Sequence, residues 1–397
     1  EKKRQENTLM MIPSENYASQ AVLKALGSAA QNKYAEGYPG RRYYQGQEFI
    51  DQIENIAIER AKKLFNVPHV NVQPYSGSPA NAAVYFALLK FGNKIMGLSL
   101  DSGGHLTHGY PKITFSGKYF KSVVYQVNEK GFLDYESIAD IAYKEKPQII
   151  VAGTTAYSRQ LNFKKFAEIA DSVNAYLLAD ISHIVGLVIA GVHPDPVPWA
   201  DVIMTTTHKT LRGPRGAMLM VTERGLKKDK EMDKKIDRAV FPGLQGGPHE
   251  NTIAAIAVAL KEAQKKSFRQ YGRKIVTNAA VLSQALQEKN LKIVSGGTDN
   301  HLMLVDLRNK KIDGKKAAVV LEKGGIIVNA NSIPHDPHPP YRPSGIRLGT
   351  PALTTRGMGE KEMRQIAVWI SLLLTDTAKA SEINQKVKNL TRHFPIL

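Results

Sequence analysis

At 397 residues and 43% hydrophobic content, the chain is long enough to bury a large core and predicts two domains. It has no cysteine, which excludes disulfides and thiolate metal sites and fits a reducing compartment, so a cytoplasmic location is expected. The net charge of +18 draws acidic partners in general, yet the lysines are scattered along stretches such as KEAQKKSFRQYGRK (261–274), without a long basic block or interleaved aromatics. That pattern is a solvated basic surface, and nucleic acid is not an expected partner.

In chain order, the opening EKKRQENTLM lacks the apolar core of a signal peptide, and residues 1–30, with few apolar positions, read as an arm laid on something else. Residues 49–65 put Ile50, Ile53, Ala57, Ala61 and Leu64 on one helical stripe. Short apolar strands then alternate with helical patterns: VNVQ, a helix at 79–90, KIMGLSL, KSVVYQV, PQIIVAG, a helix at 162–173, AYLLAD and DVIMTTT. This rhythm predicts an α/β fold with a mostly parallel sheet flanked by helices. After FPGLQGGPHEN (241–251), two long helices run to about 289. Short strands (LKIV, HLMLVDL, IIVNA) and helices at about 314–323 and 360–380 follow. The expected division is a large domain over 31–263 and a smaller α/β domain over 264–397. The longest apolar run, IAVWISLLL (366–374), is too short to cross a bilayer, so no membrane partner is expected. No internal repeat is visible.

Ligands of open α/β sheets collect beyond the carboxyl ends of the strands, and four segments end there with unusual residues. In NVQPYSGSPANAAVYFALL (71–89), a strand runs through Ser76, Gly77 and Ser78 into a helix. Small residues at a helix N-terminus suit an anion, although an ordinary capped helix gives the same pattern. In AYLLADISHIVG (175–186), a buried strand delivers Asp180, with His183 three residues on. Two ligands are too few for a metal, whereas a pyridinium nitrogen needs one carboxylate. In TTTHKTLRGPRG (205–216), Lys209 sits beside Thr206 and His208, polar neighbours able to set its pKa and orientation, about one strand–helix–strand unit beyond Asp180. In LSLDSGGHLTHGYP (98–111), His105 and His108 lie on a glycine-rich loop, and a ring stacked on a flat cofactor fits better than a metal pair. An anion cradle, a strand-end acid and a strand-end lysine together match pyridoxal 5'-phosphate, held as a Schiff base on Lys209. No metal is expected.

These segments, with MIPSENYAS (11–19), YAEGYPGRRYYQG (34–46), FPGLQGGPH (241–249) and SGIRLGTPALTTRG (344–357), resemble the serine hydroxymethyltransferase family over nearly the whole chain and in the same order. The resemblance implies the type I fold of pyridoxal-phosphate enzymes, with a mostly parallel seven-stranded sheet. It implies transfer of the serine hydroxymethyl group to tetrahydrofolate, giving glycine and methylenetetrahydrofolate, by a homodimer or tetramer with its active site at the subunit interface. It assigns Lys209 to the cofactor aldehyde, Asp180 to the ring nitrogen, His105 to the ring face and His183 to the phenolic oxygen region. Ser76, Gly77 and Ser78 would hold the phosphate, helped by Gly246 and Gly247 from the other subunit. Thr155 would hydrogen-bond the cofactor where the family often has serine. Arg347 would clamp the substrate carboxylate with Ser14 beside it, and Tyr34, Glu36 and Tyr44 would reach in from the partner. Glu36 is expected to be a protonated carboxyl buried against tyrosines. Thr206 and His208 complete the catalytic set with Lys209 and Glu36. Leu100, Gly104, Leu106 and Asn331 match folate-contacting positions. Two departures, Ala330 within Asn329-Ala330-Asn331 and Tyr341 in the following loop, fall near the expected folate entrance, and a shortened arm before Ser14 is expected. A threonine aldolase-like activity without folate is the competing expectation.

Overall fold

The structure, a computed structural model, describes residues 1–396. Its large sheet has seven strands in the order His69–Asn71, Ala217–Val221, Val202–Thr206, Tyr176–Asp180, Ile149–Gly153, Lys94–Leu98, Lys121–Tyr125. Ala217–Val221 runs antiparallel to both neighbours, and the other pairings are parallel. Burial on both faces explains the unbroken apolar runs, and period-two alternation divides each strand between two cores. Ile150, Ala152, Leu177, Ala179 and Ile203 enter one core; Ile149, Val151, Leu178, Val202 and Met204 enter the other.

Five of the strands that share one direction lie within the segments expected from sequence, and the sixth, His69–Asn71, starts one residue before VNVQ; the antiparallel strand has no counterpart among those segments. AMLMV follows its neighbour after an irregular loop instead of a crossover helix, so the strand–helix rhythm does not announce it. The helix Glu48–Phe65 buries Ile50, Ala57, Ala61 and Phe65, leaving the expected Ile53 and Leu64 at the margin. The helix expected at 360–380 is really Glu360–Thr375, followed by a short 3-10 turn and a further helix, Ala380–Arg392. Asp376 makes the break: its backbone is extended and its side chain accepts from the Ala378 N–H, starting a new cap.

A second, antiparallel sheet is formed by Lys292–Ile293, Leu302–Asp306, Gly345–Gly349 and Asn329–Asn331. The helix Lys266–Glu288 joins the two bodies. Phe268, Tyr271 and Ile275 pack into the large core, while Ala279, Leu282 and Leu286 pack into the small one. The N-terminal segment is shared likewise. Leu9–Met10 pairs with Ile326–Ile327 of the small body, and the helix Gln20–Leu26 packs on Glu250–Ala263 of the large one. Among the described residues no helix is long and apolar enough to cross a membrane.

One buried ionic cluster fixes the hairpin Gly37–Arg42. Arg42 bonds Asp51 at 2.8 Å and Glu54 at 2.7 Å, reaches Glu250 at 3.7 Å, and donates to the carbonyls of Ala35 and Gly37. Burial, then the neighbouring Glu54 charge, pushes Glu250 up to about 8. The folded state therefore holds a proton that the unfolded chain releases near 4.5, so stability falls as pH rises from about 5 towards 8. Glu250→Gln should flatten that slope when thermal midpoints are compared across this range; equal slopes in both proteins would place the proton elsewhere.

Candidate active site

The carboxyl ends of the parallel strands open into a cavity of about 350 Å³, within the usual range for small-molecule sites. Ser76, Gly77 and Ser78 line it at the start of the helix Gly77–Leu88. Ser76 is the helix N-cap, yet its hydroxyl makes no capping bond and stays available to an anion. Gly77 is required by space: a Cβ there would stand 2.8 Å from Thr206 Cγ2.

Asp180 lines the same cavity, only 6% exposed at the tip of its strand. Burial pushes its carboxyl up, but hydrogen bonds and the nearby imidazoles outweigh this and hold it well below the usual carboxylate range. Oδ2 accepts from His108 Nε2 at 2.9 Å and Asn81 Nδ2 at 3.1 Å, and Oδ1 accepts from the Ser182 N–H at 3.1 Å. Of the roughly four lone-pair positions of a carboxylate, three are spent inside the chain and one, on Oδ1, remains. Gly153 makes this approach possible, since a Cβ would meet Asp180 Cβ at 2.6 Å.

Lys209 enters from the strand next to that of Asp180, which pairs Asp180 with Met204. Its Nζ donates to Thr206 Oγ1 at 3.0 Å, and among the described residues it makes no ion pair. Burial lowers its pKa to about 8; Asp180 opposes this, while Arg347 and Arg215 add to it. Acid and amine thus face one cavity without bonding each other, which suits a flat ligand carrying a basic nitrogen at one end and an aldehyde near the other.

Three imidazoles line the same space. Burial brings His105 down to about 4 and His208 to about 3, and takes His183 well below its ordinary value, so all three are neutral at pH 7. His105 bonds Thr107 Oγ1 at 2.8 Å, while His208 Nδ1 is buried without a partner. Ser14, Thr155 and Thr206 also line the cavity. Arg347 lies just behind the wall, its Nη1 donating to the Thr155 carbonyl at 2.6 Å and its Nε to Asn329 Oδ1 at 3.0 Å. Burial brings it down to about 10, which leaves it a cation at neutral pH.

The remaining expected residues are elsewhere. Tyr34, Glu36, Tyr44, Gly246 and Gly247 gather in a second group that does not line the Lys209 cavity. A Cβ on Gly246 would lie 3.2 Å from Glu36 Oε1, and one on Gly247 would lie 3.2 Å from the Tyr34 ring. In the single chain Glu36 is only partly enclosed. Its carboxylate is half-buried and accepts from Tyr34 at 3.2 Å, because the hairpin that carries it lies at the surface, with Tyr34 55% exposed. Leu100 and Gly104 sit on the loop after Lys94–Leu98 with Leu106 exposed beyond them, and Asn331 is half-buried, donating to the Ser332 carbonyl.

The family described as serine hydroxymethyltransferase matches this chain by its sequence model over residues 1–370. The chain is 56% identical to a serine hydroxymethyltransferase of Acidothermus cellulolyticus, across all of this chain and 93% of that protein. It is similar to proteins of that name from Desulfotalea psychrophila (56%) and Sorangium cellulosum (53%), in both cases across all of this chain and 92% of theirs. The chain belongs to the serine hydroxymethyltransferase family. It is a pyridoxal-phosphate transferase of the type I fold that converts serine to glycine with tetrahydrofolate as co-substrate. The cavity fits that cofactor: an unspent N-cap hydroxyl, an anionic buried acid with one free lone pair, and an amine of lowered pKa.

Sequence reasoning missed four contributors. The glycine-rich loop points to a histidine near a flat cofactor but not to His108 as the donor to Asp180, and the sequence reading gives no role to Asn81, Ser182 or Arg215. The spacing of Asn81 one turn beyond Ser78 was the available signal, since it puts both on one helix face. Because only the unprotonated amine adds to an aldehyde, the ligand-free protein should react with pyridoxal phosphate faster as pH rises through about 8, then level off. Stopped-flow absorbance measures this. Borohydride trapping should label Lys209, and Lys209→Ala should remove the label.

Proposed function

We propose that the Lys209 cavity is where serine loses its hydroxymethyl carbon, and that two subunits are needed to complete it. When bound, pyridoxal phosphate supplies a carbonyl that takes up amino groups and a ring that accepts the electron pair of a broken bond. The observation that carries the reading is the pairing, in one cavity, of an anionic Asp180 with a Lys209 amine of lowered pKa.

The Ser76 and Ser78 hydroxyls, the Gly77 backbone N–H and the positive end of the helix would hold the phosphate. Asp180, with one lone pair unspent, would accept from a ring N–H of the cofactor and hold that proton. His105, neutral and lining the cavity, would stack on the cofactor ring without adding a competing charge. Thr155 and His183 orient the polar edge of the cofactor. Lys209 passes a proton between itself and the substrate amine, and Thr206 steadies its Nζ. His208, neutral and beside Lys209, shields that amine from water. Arg347 has free Nη2 donors for the substrate carboxylate, with Ser14 at its side. Leu100, Gly104, Leu106 and Asn331 form the folate approach.

Tyr34, Glu36, Tyr44, Gly246 and Gly247 serve the neighbouring subunit. The support is a cluster of exposed aromatic side chains around them, with Tyr43 71% and Phe49 70% exposed. In a symmetric pair this group faces the other chain's cavity, where Glu36 is desolvated and moves the serine hydroxyl proton.

Arg347→Lys should raise the KM for serine by at least about tenfold with a smaller change in kcat, because a point charge replaces a two-pronged donor. An unchanged KM would remove Arg347 from the carboxylate. Lys209→Ala and Glu36→Ala proteins, each inactive alone, should regain about a quarter of wild-type activity after unfolding and refolding together, since half the pairs are mixed and hold one intact site. The assay is tetrahydrofolate-dependent conversion of serine to glycine; no recovery in mixtures shown to be hybrid would overturn the shared site.

A further inference from the structure

His183 lines the cavity and spends its Nδ1 on a residue with no role so far: His301, whose Nε2 lies 3.2 Å away. His301 immediately precedes the strand Leu302–Asp306, so this contact crosses from the large body to the small one. Both rings are buried, His183 4% exposed and His301 fully enclosed. Lys209 and Arg347 face both rings, and with burial they hold both neutral at pH 7. Each ring therefore carries one proton, and two arrangements share it across the contact.

In the first arrangement His301 Nε2–H donates to His183 Nδ1. In the second, His183 Nδ1–H donates to His301 Nε2, which forces the His301 proton onto Nδ1. That nitrogen is buried and has no hydrogen-bond partner. The second arrangement strands an N–H donor in the protein interior, whereas the first leaves only a bare lone pair there. Orphaned buried N–H groups are rare and costly, and unfilled acceptors less so. We propose that His301 is a positioning residue that donates to His183 Nδ1 and so fixes His183 with its proton on Nε2, turned to the cavity as a hydrogen-bond donor. The ligand atom it meets is then an oxygen with an available lone pair or negative charge, and a donor group at that point is rejected. The inference deepens the reading of the cavity given above and rests on it for the ligand, although the tautomer itself is a property of the protein alone.

The test is nitrogen-detected NMR of the full chain with 15N-labelled histidine, recorded without cofactor, with the His183 signals assigned by their loss in His183→Asn. His183 should show a protonated Nε2 and a bare Nδ1. His301→Leu should release this preference, shift the visible absorption band of added pyridoxal phosphate, and lower kcat/KM for serine by about tenfold or more, the scale known for groups that orient metal-binding histidines. His301→Gln, which keeps an amide N–H near the place of Nε2, should restore the absorption band and most of the activity. A wild-type His183 protonated on Nδ1 overturns the proposal, and it does so even if His301→Leu fails to fold. A His301→Leu protein with His183 tautomer and absorption band unchanged overturns it too. A correct tautomer in a protein inactive on serine counts against the reading of the cavity instead.

Discussion

Asp180 is an anion with almost no water around it, and the site is arranged around the cost of keeping it so. Unpaired, a buried carboxylate would take up a proton. Here His108, Asn81 and the Ser182 N–H prevent that, and each comes from a different segment: the loop after Lys94–Leu98, the phosphate-side helix, and the turn after Asp180 itself. The same three donors that stabilise the charge therefore fix the relative positions of the elements that line the cavity. Gly153 is part of the same constraint, because any side chain there would push Asp180 away from His108.

Lys209 depends on that charge in turn. Burial lowers its pKa and Asp180 raises it, so the amine ends near neutrality instead of losing its proton altogether. Its backbone is held just as firmly. The Lys209 carbonyl accepts from Asn16 Nδ2 at 3.0 Å, and Asn16 also bonds Tyr271 on the long bridging helix and Thr355 in the small body. The N-terminal segment thus ties the reactive lysine to both bodies at once. The contact between His183 and His301 crosses the same boundary, so the site depends on how the two cores are joined and not on the large sheet alone.

The residues outside the cavity follow a different logic. The Arg42 cluster braces the hairpin behind Tyr34 and Glu36 with buried ion pairs, an expensive arrangement that leaves little freedom in the backbone. The tyrosines in front remain exposed. A rigid support beneath an exposed aromatic surface is what a contact between subunits requires, since little ordering remains to be done on association.

By itself the sequence determined the α/β rhythm, the strand ends at which Ser76, Asp180 and Lys209 emerge, and, through its motifs, the family. Those features are legible because they are local: period-two burial, small residues at a helix start and polar residues ending apolar strands all leave marks within a few positions. Asp180 and Lys209 could even be placed on one rim, since a single strand–helix–strand unit separates them. The antiparallel strand at 217–221 left no such mark, because an irregular loop over 207–216 stands in place of the helix that would have announced it. His108 has no sequence mark as the partner of Asp180, 72 residues away, and His301 is one histidine among eleven until it meets His183. Only the tertiary structure decides such pairings, because a side chain's protonation and role are set by what is packed against it across long stretches of chain.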